Sequence, residues 1–311
     1  MHMKATNINE ILRVGGFKSA VCFLVINSIP ELPKLAITSC LNVTKCPIII
    51  GYLNEEDLLE LPGDPRIIYM KLDTPDGFGS AFDSSNRHYR NFHEVDFFKI
   101  VTVKWQLLKE LLGTDIETLI YSDLDVIWLQ NASQEIENTF KKFQGLDVLI
   151  QSIPSLPSEP RLCMGLVGFR NSRNVHDLLS RAHSIHLNRV LDDEKFGDDD
   201  AITEYYISMG FPNWIKELPQ TVFPVGKLLN SFSNRDLMPG LSLDVPYIFH
   251  ANYAAGIRNK RLMLRIFFKN QDVEFPRIKL TPYWGLILIT KRIRHKIRLG
   301  RLLKTDIKLS N

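Results

Sequence analysis

The chain has little cysteine, and what it has is dispersed. Cys22, Cys40, Cys46 and Cys163 form no Cys-x-x-Cys pair and no cluster with histidine, which argues against zinc and for reduced core thiols. A long hydrophobic run is missing too: no apolar stretch approaches the ~20 residues that a membrane helix needs. The first 18 residues are polar and charged rather than a leader, so a cytoplasmic location is expected. There is no internal repeat and no low-complexity linker. Acidic residues are scarce at one end only: from Arg258 onward 15 Lys and Arg face 3 Asp and Glu, whereas the remainder holds 23 against 32. An acidic body with a basic tail points to a polyanionic surface as partner.

What is present is ordinary for a globular enzyme, with 311 residues, 45% hydrophobic and 23% charged, enough for one elaborated α/β domain. Apolar runs at 19–26, 47–53 and 66–72 read as buried parallel strands, with helices between them at 32–41 and from Asn54. Alternation of this kind predicts a Rossmann-like, mostly parallel central sheet with flanking helices. Residues 73–95, rich in Gly, Ser, Asn and Asp, form a long loop of the kind that carries function. An amphipathic helix is expected over 97–112, and its apolar stripe places Lys104 on or near the buried face. That lysine either snorkels or is held beside an anionic ligand. Further along come a helix at 133–143 capped by Ser133, a strand at 146–151, a proline-rich loop at 154–160, a glycine-interrupted strand at 162–169, and helices at 174–186 and 201–209.

The most informative segment is Leu-Ile-Tyr-Ser-Asp-Leu-Asp-Val-Ile-Trp-Leu at 119–129. Read as one strand, it sets Asp123 and Asp125 on the same side. Two carboxylates buried together are costly unless a cation or hydrogen-bond donors compensate them. A hard divalent ion such as Mg²⁺ or Mn²⁺ does so, with substrate phosphates completing its shell.

The segment resembles the metal motif of A-type glycosyltransferases, and more narrowly the retaining nucleotide-diphospho-sugar transferases. Five features stand in that family's order: Lys104; Asp123 and Asp125; Met164 to Arg170; Gly197-Asp198-Asp199-Asp200; and Phe249-His250 with Gly256 and Lys260 following. The resemblance covers roughly 19–270, leaving 271–311 as a basic C-terminal extension. It implies that Asp125 and His250 ligate the cation while Asp123 touches metal or ribose. Histidine suits Mn²⁺ somewhat better than Mg²⁺. Gly256 and Lys260 would meet the diphosphate, the lysine as a point charge. Asp198, Asp199 and Asp200 offer carboxylates for sugar, acceptor or the reacting centre, with their roles undivided. The family often has Asp-Gln there, and this chain departs from it. Ile26, Asn27 and Ser28 sit where an open sheet receives a nucleotide, and Tyr52 is a candidate to stack on the base. By the same resemblance the donor is a UDP-sugar, the acceptor a glycan, glycolipid or glycoprotein, and the stereochemistry retaining.

Two other readings compete. The same aspartates fit the first motif of haloacid-dehalogenase-like phosphatases, with Asp123 as nucleophile, although three strands and a long helix precede it here rather than one strand. An inactive glycan-binding relative is the second. In the tail, residues 283–304 interleave cations with apolar residues behind Tyr283 and Trp284, which suits the interface of an anionic membrane. Nucleic acid is disfavoured as a partner by the acidic body.

Overall fold

The strands that build the centre of the fold have no room for a polar face. In the computed structural model, residues 2–3, 5–26, 31–74, 95–153, 160–192, 195–225, 246–252 and 260 are described. There β2 (Ser19–Val25), β3 (Ile48–Tyr52) and β5 (Thr118–Ser122) are buried along almost their whole length. Continuous burial on both faces explains their Val/Ile-rich, non-alternating sequences. They join β1 (His2–Met3), β4 (Ile67–Lys71), β7 (Val148–Ile153), β8 (Arg161–Arg170) and β9 (Ile215–Glu217) in one eight-stranded sheet of order β1-β4-β3-β2-β5-β8-β7-β9. All neighbours run parallel except β8, which is antiparallel to both β5 and β7.

Helices cover the two faces. Alternate residues of β2 divide between them: Ala20, Cys22 and Leu24 pack with one core, Val21, Phe23 and Val25 with the other. The first core takes α1 (Ala5–Val14), α4 (Val103–Leu112), α6 (Arg173–Leu191) and α7 (Asp198–Ser208) through Leu12, Leu108, Leu179 and Ile202. The second takes α2 (Glu31–Val43) and α5 (Ala132–Lys142) through Ile37 and Ile136. Each fully buried Leu or Ile contributes about 1.5–3 kcal/mol.

The chain winds outward from β2 through β3 to β4, then returns through α4 to place β5 on the other side of β2. Such a reversal opens a crevice at the carboxyl ends of the two strands. Ile26 follows β2 and Asp123 follows β5 at that crevice.

Several local expectations are corrected. The 119–129 run is two strands, not one: β5 ends at Ser122, and β6 (Val126–Trp128) pairs with β10 (Ile248–His250) in a separate antiparallel sheet. Asp123 and Asp125 therefore sit in the turn between them, closed by the Val126 amide donating to the Asp123 carbonyl at 3.2 Å. The 97–112 helix divides into α3 (Val95–Val101) and α4 at Thr102, whose hydroxyl donates to the Lys99 carbonyl at 2.6 Å and competes with the regular ladder. Asn131, not Ser133, caps α5 by accepting from the Gln134 amide. The acidic segment is already helical, and Asp198 begins α7. Strands β9 and β10, each of three residues, carry too short a pattern to be expected from sequence. The loop 75–94, most of the proline-rich loop, and the extension 271–311 lie outside the described residues.

Candidate active site

Two short pieces of chain converge on the Asp-x-Asp turn. β10 lies against β6 with His250 opposite Val126, and the Ala251 amide donates to the Asp125 carbonyl at 2.9 Å. This register brings His250 Nε2 to 3.2 Å from Asp125 Oδ1, both side chains almost fully buried. One ligand atom each from Asp123, Asp125 and His250 falls within 4.8 Å of the others. The other oxygen of Asp125 accepts from Lys260 Nζ. Burial opposes ionisation of Asp125, but Lys260 and His250 outweigh it and hold the carboxyl well below the usual range. An imidazole nitrogen and an ionised carboxylate oxygen at this distance share either a proton or a cation. The set of two carboxylates and one imidazole fits a divalent cation.

Asp123 is tied to a second cluster. Its Oδ1 accepts from Tyr121 Oη at 2.7 Å and lies 3.1 Å from Lys104 Nζ. Lys104 also pairs with Asp198 and lies 4.5 Å from the centre of the Tyr121 ring. Its side chain is only 5% exposed, so the snorkelling reading is set aside: this is a buried cation between two carboxylates. Burial works against its charge, yet Asp123 and Asp198 keep its pKa well above the ordinary lysine value.

The three aspartates of α7 separate by geometry. Asp198 faces Lys104. Asp199 Oδ1 accepts from the Met164 amide at 2.6 Å, and burial together with the charge of Asp198 raises its pKa to about 7. Asp200 is exposed and accepts from the Gly197 amide at 3.0 Å. It closes the first turn of the helix and takes no part in the cluster.

The strand β8 links all of this. Its pairing with β7 slips between Ile150, opposite Val167, and Gln151, opposite Cys163. The irregularity turns Met164 and Gly165 to other partners: the Met164 amide serves Asp199, and the Gly165 carbonyl accepts from the Asp123 amide at 2.7 Å. Bulges commonly re-aim groups in this way beside functional sites. Gly165 is glycine because a Cβ there would lie 1.9 Å from His250 Cε1.

Of the other expected residues, Ile26 lies at the end of β2 and is buried. Tyr52 ends β3 and is fully buried. Asn27, Ser28 and Gly256 lie outside the described residues. Sequence reading missed Tyr121, the steric role of Gly165, and Gln151, whose Oε1 is 3.0 Å from His250 Nδ1. A lone glutamine in an apolar strand was the only signal for the last.

No curated protein sequence matches the chain. Among solved structures, mouse xyloside xylosyltransferase 1 in its apo form is similar at 13% identity and a TM-score of 0.49, covering 77% of this chain and 99% of that one. Galactosyltransferase LgtC, in complex with donor and acceptor sugar analogues, is similar at 11% identity and a TM-score of 0.54, covering 86% of this chain and 99% of that one. The fold is that of the A-type glycosyltransferases, which leaves no place for the phosphatase reading. The family model of nucleotide-diphospho-sugar transferases matches residues 64–264, and the chain belongs to that family of glycosyltransferases.

Proposed function

We propose that the protein transfers a sugar from a nucleotide diphosphate sugar, a UDP-sugar, to a hydroxyl of a glycan or glycolipid, with retention and with a divalent cation of the Mn²⁺ kind. The observation that carries this reading is the convergence of Asp123, Asp125 and His250 within 4.8 Å at the sheet's crevice, next to the buried Lys104–Asp198 pair.

Asp123, Asp125 and His250 would hold the cation, which supplies Lewis-acid neutralisation of the diphosphate. The chain's own groups do the remainder. Lys260, beside Asp125, offers a point charge to the departing phosphate. Lys104 fixes Asp123 and Asp198 in place, so Asp198 presents a preorganised acceptor to sugar hydroxyls. Asp199, with its pKa near 7, can take up and release a proton at neutrality next to them. The β8 irregularity holds Asp199 and Asp123 in mutual register through consecutive residues, Met164 and Gly165.

The basic stretch 283–304 supports a peripheral seat on an anionic membrane, so the acceptor is lipid-linked or lies on the envelope, on the cytoplasmic side. Each cation near such a surface adds about 1 kcal/mol.

The test is release of nucleoside diphosphate from a panel of nucleotide sugars, with Mn²⁺ or EDTA, and NMR of the product's anomeric proton. Metal-dependent release from a UDP-sugar with the donor's anomeric configuration preserved is expected. Inversion would remove the retaining assignment, and no turnover of any donor would favour an inactive glycan-binding relative.

A further inference from the structure

Gln151 touches His250 in the site, and its own surroundings are specific. It lies on β7 at the point where the pairing with β8 slips, and only 1% of it is exposed. Its Nε2 donates to the Phe223 carbonyl at 3.2 Å. A carbonyl can only accept, so this bond fixes which end of the amide is which. Oε1 must therefore point the other way, and it lies 3.0 Å from His250 Nδ1. An amide oxygen is likewise only an acceptor, so the Nδ1 that faces it carries a proton. Nδ1 keeps this proton whatever lies on the other side of the ring, so a cation seated at Asp125 would take the place of the proton on Nε2, the nitrogen 3.2 Å from Asp125 Oδ1.

Nothing else described around the ring does this work. Cys163 Sγ is 3.9 Å from Nδ1 and itself accepts from Asn252 Nδ2 at 3.6 Å. Gly165 supplies only the space against the ring face. Lys260 pairs with Asp125.

We infer that Gln151 is a positioning residue: by binding Nδ1–H through an amide locked on the Phe223 carbonyl, it presents His250 Nε2 to a divalent cation shared with Asp123 and Asp125. The inference rests on the metal-dependent reading above and adds to it the residue that sets how tightly the ion is held. Partners of this kind fix a histidine's tautomer and ring orientation, and their loss costs about 10–100-fold in metal affinity. A neutral amide in this place, rather than a carboxylate, adds no charge to the site.

The experiment is titration of the full chain with Mn²⁺ alone, following free ion by EPR. Pulsed EPR of the bound ion then reports whether an imidazole nitrogen is directly coordinated. Wild type is expected to show that nitrogen coupling. Gln151→Met, close in volume and without the amide, should bind Mn²⁺ about 10–100-fold more weakly and lose the coupling. Gln151→Glu keeps an acceptor for Nδ1–H and should retain the coupling, which separates positioning from general damage to the fold. A Gln151→Met protein with wild-type affinity and intact nitrogen coupling would overturn the inference and leave the metal site standing. Wild type that binds Mn²⁺ without nitrogen coupling, or does not bind it, would overturn both.

Discussion

At the scale of single residues, the site depends on buried charges that compensate one another. Lys104 lies between Asp123 and Asp198 with almost no exposure. Removing one partner of such a group leaves the others buried and uncompensated, which costs about 3–5 kcal/mol. Lys104→Met should lower stability by that order in urea unfolding, and Lys104→Met with Asp198→Asn should recover part of it. Gly165→Ala makes a different prediction. Its methyl would collide with the imidazole of His250, and such overpacking costs about 1–3 kcal/mol. The protein should fold with reduced stability and lose Mn²⁺ binding, as judged by unfolding and EPR titration together. Asp199 gives a dependence on pH. Its folded-state pKa of about 7 lies above the ordinary carboxyl value, so the native state holds its proton more tightly than the unfolded chain. The stability this contributes is present below pH about 4 and is lost as pH rises through about 7. Asp199→Asn retains an oxygen for the Met164 amide, so metal-free protein carrying it should lack that loss in unfolding measured from pH 5 to 8.

At the scale of elements, the sequence was legible where burial is continuous and opaque where it is brief. The strands β2, β3, β4, β5, β7 and β8 stood out because each is a run of apolar residues bounded by polar ones. The pieces that assemble the site are shorter. β6 and β10 have three residues each, and their pairing is a tertiary event that no local pattern announces. Reading 119–129 as one strand set Asp123 and Asp125 together for an incomplete reason. A turn, rather than strand alternation, brings Asp123 and Asp125 together. The same limit explains the missed irregularity in β8, which is visible only once Gln151 is opposite Cys163. The acidic triplet was singled out as a unit, but helix geometry divided it: one residue pairs with Lys104, one takes a strand amide, and one caps the helix.

At the scale of the whole molecule, the reversal of winding at β2 and β5 is what places the Asp123–Asp125 turn beside the crevice at the carboxyl ends of the strands. Family membership follows from residues 64–264, and the order of five short motifs had already pointed to it. The basic extension beyond that region belongs to a different question. If 283–304 seats the enzyme on anionic lipid, full-length protein should co-sediment with vesicles containing phosphatidylserine at low salt and dissociate as salt screens the attraction. Indifference to anionic lipid at moderate salt would remove the membrane assignment without touching the catalytic one.

If Asp123, Asp125 and His250 hold a divalent ion that receives a nucleotide sugar, a nucleoside diphosphate must stabilise the folded protein only when that ion is present. Thermal unfolding with nucleoside diphosphates in Mn²⁺ or EDTA tests it most directly, because a ligand that binds only the folded state raises the midpoint by mass action. The account predicts a rise with UDP that requires Mn²⁺ and disappears in Asp125→Asn. A rise that persists in EDTA, or none with any nucleotide, would contradict it.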